Sequence, residues 1–466
     1  EACVRMLNDS KFETGVSHTG FEIEFNLVDE RGDPALKNAE VLRAIGDPAF
    51  QTELARFNIE ANFAPRRLGE SGLREFEDDF VARFGKASRA AAEHGARLVM
   101  IGILPTVTRE LMTVDALSAN ERYRLLNEQI FLARGEDVRI AIDGRERLEV
   151  VTDSVAPEAA CTSTQLHVQV SPDLFAAYWN AAQAIAGAQV ALCANSPFLF
   201  GRELWRETRI TLFEQSIDTR TPEMEAQGIR PRVWFGERWI DAVDDLFTEN
   251  ARYFTPLLPV ADDEDPLEVL ANGGAPRLSE LRLHNGTIYR WNRPVYDVVA
   301  GTPHLRVENR VLPSGPSFTD TLANAAFWFG LVRRLAEDPD PVWRHMSYQA
   351  AEENFFAGAR DGLEAELYWP GTGVVAAPEL LLRRLLPLAY EGLDRWNVDP
   401  RQRDRLLGVI EQRCATGVNG AAWQAAVFHA HHERGGLGRF EALRAMTTRY
   451  ADLMASGDPV HTWPLR

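Results

Sequence analysis

The stretch HTGFEIEFNLV at residues 18–28 alternates apolar and polar side chains along most of its length. A β-strand directs successive side chains to opposite faces of a sheet, so this alternation predicts a strand. One face of the strand is apolar, and the other carries Glu22, Glu24 and Asn26. At about 3.4 Å per residue, the two carboxylates lie roughly 7 Å apart and point the same way. The strand therefore offers a pair of carboxylates to one face of a sheet.

Three further segments alternate in the same way and also place functional groups on their polar faces. These groups are Asn58, Glu60 and Asn62 in residues 57–64, Gln165, His167 and Gln169 in residues 164–170, and Arg306, Glu308 and Arg310 in residues 304–312. The simpler interpretation of any one strand is a solvated face, which needs polar residues and no chemistry. A solvated face favours Thr, Lys and Ser, whereas these four strands offer mainly carboxylates, amides, arginines and an imidazole.

Together the four strands indicate a site for a metal ion and a nucleotide. Carboxylates that face one another repel unless a cation lies between them. Mg²⁺ prefers carboxylate oxygens and usually holds substrate phosphates at its remaining positions. A guanidinium binds phosphate oxygens through two parallel hydrogen bonds, so Arg306 and Arg310, on either side of Glu308, suit those phosphates. The solvated face stays open as the alternative.

The rest of the chain is predicted to fold around an antiparallel sheet. Apolar residues have helical spacing at residues 73–96, 119–134, 171–195 and 319–336, and in nearly everything beyond residue 317. Residues 138–151 are predicted to form a hairpin that turns at 143–144, whereas residues 222–276, rich in Pro and acidic residues, are predicted to be irregular. The pattern is typical of an α+β fold in which helices pack on one side of the sheet and form the C-terminal third.

The composition excludes several classes of function. The 466 residues include 50 Lys and Arg against 68 Asp and Glu, which gives a formal net charge of −18. This acidic balance opposes the binding of nucleic acid and of an anionic membrane surface. The longest apolar stretch, residues 181–200, is interrupted by Gln183, Gln189 and Pro197. It therefore predicts a buried helix rather than a membrane span.

The cysteines indicate a reducing compartment. The four cysteines lie far apart and form no CxxC pair, so the sequence indicates neither a zinc framework nor a dense disulfide scaffold. Residues 1–7 lack the basic and apolar regions of a signal peptide. Free thiols in a cytoplasmic protein are the simplest interpretation of these observations.

Seven motifs, in order along essentially the whole chain, resemble those of one enzyme family. They are GFEIEF at 20–25, ELARFNIEAN at 53–62, TSTQLH at 162–167, NSPF at 195–198, LWRETR at 204–209, RVENR at 306–310 and NGAAWQ at 419–424. They resemble the bacterial and plant type of glutamate–cysteine ligase, a group of carboxylate–amine ligases in the glutamine synthetase superfamily. The resemblance implies one catalytic domain over residues 1–466, with a mostly helical extension from about residue 317. It also implies a glutamine-synthetase-like funnel of curved antiparallel strands with helices on the outer side.

The resemblance implies roles for individual residues as well. The implied metal ligands are Glu22, Glu24, Glu53, Glu60, His167 and Glu308. Arg310 would contact the transferring phosphate with Arg306 beside it, and Arg290, Arg293 and Arg310 would contact the nucleotide. Relatives often carry His-x-His on the third strand, but here the second position is Gln169. An amide is a poor metal ligand, so no metal is assigned to it.

The resemblance implies an ATP- and Mg²⁺-dependent carboxylate–amine ligase that forms an amide through an acyl phosphate, with Mn²⁺ as an alternative ion. The favoured substrates are the γ-carboxylate of glutamate and cysteine or another amine. Two alternatives stay open, namely a kinase on the same fold and a nucleotide-binding regulatory protein without turnover. The partners are small-molecule substrates, and the oligomeric state is open, a homo-oligomer included. The residues that recognise the amine are expected in loops, between residues 222 and 276.

Two remaining groups of residues receive simpler interpretations. His429 and His432 lack the HExxH spacing of a zinc site and are interpreted as the end of a surface helix. The arginines at positions 202, 206 and 209 lie at helical spacing and are interpreted as a solvated helix face paired with neighbouring glutamates. A clamp for a substrate carboxylate is the alternative for these arginines.

Overall fold

Seven strands that are distant in sequence form one antiparallel sheet in the computed structural model, which describes residues 1–15, 17–258 and 262–465. The strands of the chain are β1 (Thr19–Val28), β2 (Phe50–Thr52), β3 (Asn58–Arg66), β4 (Arg97–Val99), β5 (Val138–Asp143), β6 (Arg147–Thr152), β7 (Thr164–Val170), β8 (Phe198–Leu199), β9 (Arg202–Glu203), β10 (Val233–Trp234), β11 (Tyr289–Arg290), β12 (Asn292–Val299), β13 (Thr302–Asn309), β14 (Glu366–Trp369) and β15 (Gly373–Ala376). Six strands of the main sheet follow the order β12-β13-β7-β1-β3-β2, and β4 pairs with the last residues of β1. The sheet is curled like a half-barrel, which confirms the expected curved antiparallel sheet.

The polar faces of the four alternating segments meet because these segments are neighbouring strands. Glu24 of β1 lies opposite Glu60 of β3, and Glu22 lies two residues earlier on the same face. Glu308 of β13 lies opposite His167 of β7. Opposite residues on antiparallel neighbours have Cβ atoms about 5 Å apart. The register therefore gathers the carboxylates and the imidazole on one surface of the sheet.

Helices make up most of the chain outside the main sheet. They are α1 (Ala2–Asn8), α2 (Asn38–Ile45), α3 (Gly72–Glu93), α4 (Glu121–Arg134), α5 (Pro172–Cys193), α6 (Thr208–Ser216), α7 (Pro222–Ala226), α8 (Val243–Tyr253), α9 (Pro266–Ala271), α10 (Ser279–Asn285), α11 (Phe318–Ala336), α12 (Tyr348–Asp361), α13 (Ala377–Leu380), α14 (Leu386–Arg395), α15 (Pro400–Thr416), α16 (Gly420–His429) and α17 (Arg439–Ser456). After residue 317 the hairpin β14-β15 is the one pair of strands within the described residues. The predicted helical C-terminal third is therefore confirmed.

The apolar face of the sheet packs against α3 and α11. Phe21 of β1 contacts Phe76 of α3 and Phe329 of α11, with ring centroids 4.3 and 5.8 Å apart. Phe25, four residues further along β1, lies 6.3 Å from the ring of Phe80. These rings are buried, and burying one such side chain stabilises a fold by about 1.5–3 kcal/mol. The apolar half of the alternation thus fixes which face of β1 the carboxylates occupy.

The prediction that residues 222–276 are irregular is wrong in part. This segment contains the helix α8, which has 11 residues, and the shorter helices α7 and α9. The acidic residues that suggested a loop begin these helices. Asp245 accepts hydrogen bonds from the backbone N–H groups of Asp241 and Ala242, at 2.9 and 3.2 Å. Carboxylates in the first turn satisfy free N–H groups there and interact favourably with the helix dipole.

Helices α11 and α14 cross so closely that glycine is required at the contact. A Cβ atom at Gly392 would lie 1.7 Å from the carbonyl oxygen of Gly330. We expect Gly392→Ala to lower the free energy of unfolding by about 3 kcal/mol, because the helices would have to separate. Gly408→Ala on α15, where nothing lies within 4 Å, is the matched control and should raise stability by up to about 1 kcal/mol. Urea denaturation of both variants measures the difference, and equal effects would contradict the crossing.

The described residues contain no helix that combines the length and the apolar character needed to cross a membrane.

Candidate active site

The first group of candidate ligands joins three strands of the sheet. Glu22, His167 and Glu308 each offer one ligand atom, and these atoms lie within 4.8 Å of one another. Nε2 of His167 lies 3.0 Å from a carboxylate oxygen of Glu22. Neither ring nitrogen of His167 makes a hydrogen bond of good geometry within the described part of the chain, although the residue is buried. A buried nitrogen without a hydrogen bond is available to a metal ion.

The second group lies beside the first and consists of carboxylates alone. Glu24, Glu53 and Glu60 offer oxygens that also lie within 4.8 Å of one another. Glu24 accepts hydrogen bonds from the backbone N–H and the hydroxyl of Ser163, at 2.6 and 2.9 Å, and one from Gln165 at 3.1 Å. These bonds fix the carboxylate in place, since Glu24 is 6% exposed. The structure thus assembles all six residues whose ligand role the sequence predicts, in two groups that the sequence did not distinguish.

Arg310 lies next to both groups. Its Nη1 donates hydrogen bonds to Oε1 of Glu308 at 2.8 Å and to Oε1 of Gln165 at 2.6 Å. Arg293, from the adjacent strand β12, contacts both oxygens of Glu308, and its Nη2 donates to Oε1 at 2.9 Å. Glu308 is 1% exposed, and a buried carboxylate needs such partners.

Neighbouring arginines and His167 lower the pKa values of the two carboxyls in the first group. Burial alone would raise the pKa of Glu308, but Arg293 and Arg310 hold it well below its ordinary value. Burial also acts to raise the pKa of Glu22, and His167 and Arg310 more than offset it, so that the pKa is lowered. Both carboxyls of the first group are therefore charged at neutral pH.

In the second group the pKa values of the carboxyls are raised rather than lowered. Burial, with the charge of Glu60, raises the pKa of Glu24 to about 7. Burial and neighbouring carboxylates also raise the pKa of Glu53 well above its ordinary value, and that of Glu60 as well. Repulsion within this group is incompletely compensated by the protein, and an added cation would relieve it.

Two cavities adjoin the two groups. The larger has a volume of about 690 Å³, and its lining includes Glu22, His167, Gln169 and Arg306. The smaller has a volume of about 80 Å³, and its lining residues are Glu24, Glu53, Leu54, Asn58, Glu158, Ala159, Cys161, Thr162, Ser163, Gln165, Arg209, Phe213, Trp291 and Arg310. Two residues of each group therefore line a cavity, Glu22 and His167 the larger one and Glu24 and Glu53 the smaller one, and Arg310 also lines the smaller one.

The other two predicted arginines, Arg306 and Arg290, lie in different surroundings. Arg306 lines the larger cavity, where its Nη1 lies 3.0 Å from Nε2 of His304 and 3.4 Å from Asp297. Arg290 is 2% exposed, and its guanidinium donates to Glu249 and Asn250 at 2.7 and 2.8 Å. The structure brings Arg293 to the first group of ligands and Arg306 to the larger cavity, whereas Arg290 is held by α8. The role of Arg290 as a nucleotide contact stays a prediction.

The interpretation of positions 202, 206 and 209 as one helix face is wrong. Arg202 lies in β9 and Arg209 lies in α6, and the residues between these two elements, 204–207, are not helical. Arg209 is 3% exposed and donates to Glu207 at 3.0 Å and to the carbonyls of Arg310 and Val311. It holds the backbone of Arg310 in position, a role that its spacing could not indicate.

The histidines near the C-terminus form a structural contact. Nε2 of His429 lies 2.8 Å from Glu203, and its Nδ1 lies 2.9 Å from Glu433. His432 contacts the backbone carbonyl of Leu437 at 2.8 Å. The interpretation as the end of a helix agrees with this geometry, since α16 ends at His429.

The chain is similar to known ligases over most of its length. A family model described as glutamate-cysteine ligase family 2 matches residues 18–442. A relative from Rubrobacter xylanophilus, provisionally named glutamate–cysteine ligase 2-3, is 25% identical over 425 residues, which cover 88% of this chain and 93% of the relative. A relative from Mycobacterium sp. strain KMS, provisionally named glutamate–cysteine ligase 2-2, is 29% identical over 145 residues, or 30% of this chain and 38% of the relative.

Two solved structures share the fold. The glutamate–cysteine ligase of Francisella tularensis, in complex with AMP, has a TM-score of 0.57 at 11% identity, covering 98% of this chain and 91% of that chain. The bifunctional glutathione synthetase of Pasteurella multocida has a TM-score of 0.55 at 11% identity, covering 94% of this chain and 52% of that chain. At such identities the likeness concerns the fold alone. The family match spans most of the sequence, and the chain belongs to glutamate-cysteine ligase family 2.

Proposed function

We propose that this chain joins the γ-carboxylate of glutamate to cysteine or another amine through an acyl phosphate made from ATP. Membership in the family makes the chain an ATP-dependent carboxylate–amine ligase. One observation carries the finer proposal. The six candidate ligands lie in two groups, two residues of each group line a cavity, and Arg310 contacts the first group and lines the cavity of the second.

The two groups fit divalent metal ions. Hard ions such as Mg²⁺ and Mn²⁺ bind carboxylate oxygens, and five of the six candidate ligands are carboxylates. We assign Glu22, His167 and Glu308 to one ion and the three carboxylates of the second group to another. When bound, such ions neutralise phosphate charge and polarise the reacting oxygens.

We assign the larger cavity to ATP and the smaller cavity to the reacting carboxylate and amine. The larger cavity, about 690 Å³, has the size of a small-molecule site, and Arg306 and Gln169 line it with groups that can donate to phosphate oxygens. Arg310 lines the smaller cavity, and a phosphoryl group that leaves the larger cavity would meet the substrate carboxylate beside it. Its position between buried side chains limits access of water.

Two bond changes follow from this arrangement. In the first step, a substrate carboxylate oxygen bonds to the γ-phosphorus of ATP, the bond from that phosphorus to the bridging oxygen breaks, and ADP leaves. Arg310 and Arg306 offset the negative charge on the transferring group. In the second step, the amine nitrogen bonds to the acyl carbon, the bond from that carbon to the phosphate oxygen breaks, and phosphate leaves with the proton that the nitrogen loses.

A panel of amino acids and amines, each supplied with glutamate, ATP and Mg²⁺, tests the proposal. We expect ADP release that depends on an amine, with an amide product whose mass identifies the partner. ADP release with a phosphorylated acceptor and no amide would favour a kinase on the same fold. ATP binding without ADP release under every condition would favour a regulatory protein.

The second group of carboxylates predicts how Mg²⁺ affects stability at different pH. The folded-state pKa of Glu24, about 7, lies above its unfolded value of 4.5, so its contribution to stability is complete below pH 4.5 and is lost as the pH rises through 7. Mg²⁺ binds the ionised carboxylates and offsets that loss. We therefore expect Mg²⁺ to raise the thermal midpoint more at about pH 8 than at about pH 6. Thermal denaturation with NaCl at matched ionic strength is the control, and an equal effect of both salts would contradict the prediction.

A further inference from the structure

Glu158 is a carboxyl of the smaller cavity that the proposed reaction has not yet used. It lies in a short 3-10 turn, Ala156–Ala160, which residues 161–163 connect to β7. Its neighbours Pro157 and Ala159 are buried, and the turn is closed by the bond from the N–H of Cys161 to the carbonyl of Glu158, at 2.8 Å. The backbone is therefore fixed by packing, while the side chain of Glu158 lines the cavity beside Arg310 and Glu24.

The carboxylate of Glu158 differs from the other acidic groups of the site in its lack of partners. Glu24 accepts three hydrogen bonds, Glu60 accepts two, and Glu308 is held by two arginines. Within residues 1–15, 17–258 and 262–465, the Glu158 carboxylate forms neither a hydrogen bond nor an ion pair. It also belongs to neither group of candidate metal ligands.

Leaving this carboxylate without a partner has an energetic cost. Burial, with the charge of Glu24, raises the pKa of Glu158 to about 8, and Arg310 opposes the rise only in part. Glu158 is partly buried, and an ionised carboxylate with little solvent and no hydrogen bond is unfavourable unless a ligand supplies the missing partner. The partner that a lone carboxylate favours is a cation that donates hydrogen bonds, such as a primary ammonium group.

The wall of the cavity around Glu158 argues for an organic cation rather than a metal ion. Phe213 and Trp291 line the same cavity, and their rings lie 5.7 Å apart, centroid to centroid, at 69°. Leu54 and Ala159 add further apolar surface. Apolar side chains offer no ligand atoms to a metal ion, but they suit the carbon skeleton that carries an ammonium group.

We propose that Glu158 binds the ammonium group of a substrate in the smaller cavity, with the carbon atoms of that substrate against Phe213 and Trp291. This inference rests on the proposed ligase function and adds a candidate residue for ammonium recognition outside residues 222–276, the segment in which amine recognition is expected from the sequence. Two substrate groups share the required chemistry, namely the acceptor amine and the α-ammonium group of the acidic substrate. In both cases the Glu158 carboxylate binds the positive charge of the substrate, and no bond to Glu158 forms or breaks.

The test compares Glu158→Gln with the unchanged chain in steady-state kinetics. The substitution keeps size and removes charge, so we expect the KM of the ammonium-bearing substrate to rise about 10- to 100-fold, the range of a buried hydrogen bond to a charged group. The KM of ATP should stay the same. A rise in the KM of the acceptor amine identifies the acceptor, whereas a rise for glutamate but not for glutarate, which lacks the α-ammonium group, identifies the acidic substrate.

Matched variants separate recognition from folding. Glu352→Gln removes another partly buried carboxyl with a raised pKa, on α12 and outside the cavity lining, and should leave every KM unchanged. Glu158→Asp keeps the charge, so its KM for the ammonium-bearing substrate should rise less than that of Glu158→Gln. Thermal denaturation of each variant shows whether the fold is retained.

The outcomes also distinguish this inference from the ligase proposal. An unchanged chain that forms no amide with any pair of substrates would overturn the ligase function itself. An active chain in which Glu158→Gln changes no KM, or changes the KM of ATP as strongly as that of the amine, would overturn the role of Glu158 alone. A binding titration of the acceptor and of its hydroxyl analogue gives the same comparison without turnover, since charge recognition should disappear in the variant.

Discussion

Replacing Arg310 with Ala is expected to lower kcat by about two orders of magnitude or more while the fold is retained. The Arg310 guanidinium is the cationic group that contacts Glu308 in the first group and lines the smaller cavity beside Glu24. A transferring phosphoryl group would pass beside it, and its charge is fixed in place before the reaction by Gln165 and Glu308. Such preorganised charge stabilises a transition state more than it stabilises bound ATP, so kcat should fall more than the affinity for ATP.

The fold should survive this substitution because Glu308 keeps a second arginine. Arg293 contacts both oxygens of Glu308, so the buried carboxylate is not left without a partner. Arg310→Lys keeps the charge but loses the planar fork, and it should recover only part of the rate. Arg139→Ala, which removes an exposed arginine paired with Glu149 on the hairpin β5-β6, is the control and should be neutral. Full ATP-dependent activity in Arg310→Ala would contradict the proposal that Arg310 stabilises the transferring phosphoryl group.

The central strands could be predicted from the sequence because their chemistry follows the period of a β-strand. Glu22, Glu24, Glu60, His167 and Glu308 each alternate with apolar residues, and burial of the apolar neighbours forces the polar side chains to the opposite face. Once these strands are neighbours, pairing in register brings the side chains together without further information. The division into two groups could not be predicted, since it depends on which residue of each strand lies opposite which.

Residues outside the regular strands could not be predicted in this way. Glu158 lies in a 3-10 turn among alanines and a proline, where no periodicity assigns its side chain to a face. Arg209 seemed to continue the spacing of two earlier arginines, but no helix joins them, since residues 204–207 are not helical. Glu53 lies one residue beyond the short strand β2, and only the resemblance of its motif indicated a role. Tertiary contacts, rather than local pattern, position these three side chains.

Glu60→Gln is expected to have opposite effects on activity and on stability. Oε1 of Glu60 accepts hydrogen bonds from Gln51 at 2.6 Å and from Asn62 at 2.8 Å, and the amide oxygen of Gln can accept both. What the variant loses is one negative charge opposite Glu24. An amide is a weaker ligand for Mg²⁺ than a carboxylate, so we expect kcat to fall by about two orders of magnitude or more, which corresponds to several kcal/mol of lost charge stabilisation.

Without Mg²⁺ the same variant should be more stable than the unchanged chain at about pH 8. Burial and the charge of Glu22 raise the pKa of Glu60, and Glu60 in turn raises that of Glu24. Removing one of these charges relieves repulsion that grows as the pH rises through 7. Thermal denaturation without metal measures the gain, and Glu149→Gln on β6, an exposed glutamate outside the site, is the control. Loss of both activity and stability would contradict the ligand role and would mean that Glu60 supports the fold. A metal ligand whose negative charge the protein does not compensate should instead lower activity and raise metal-free stability when that charge is removed.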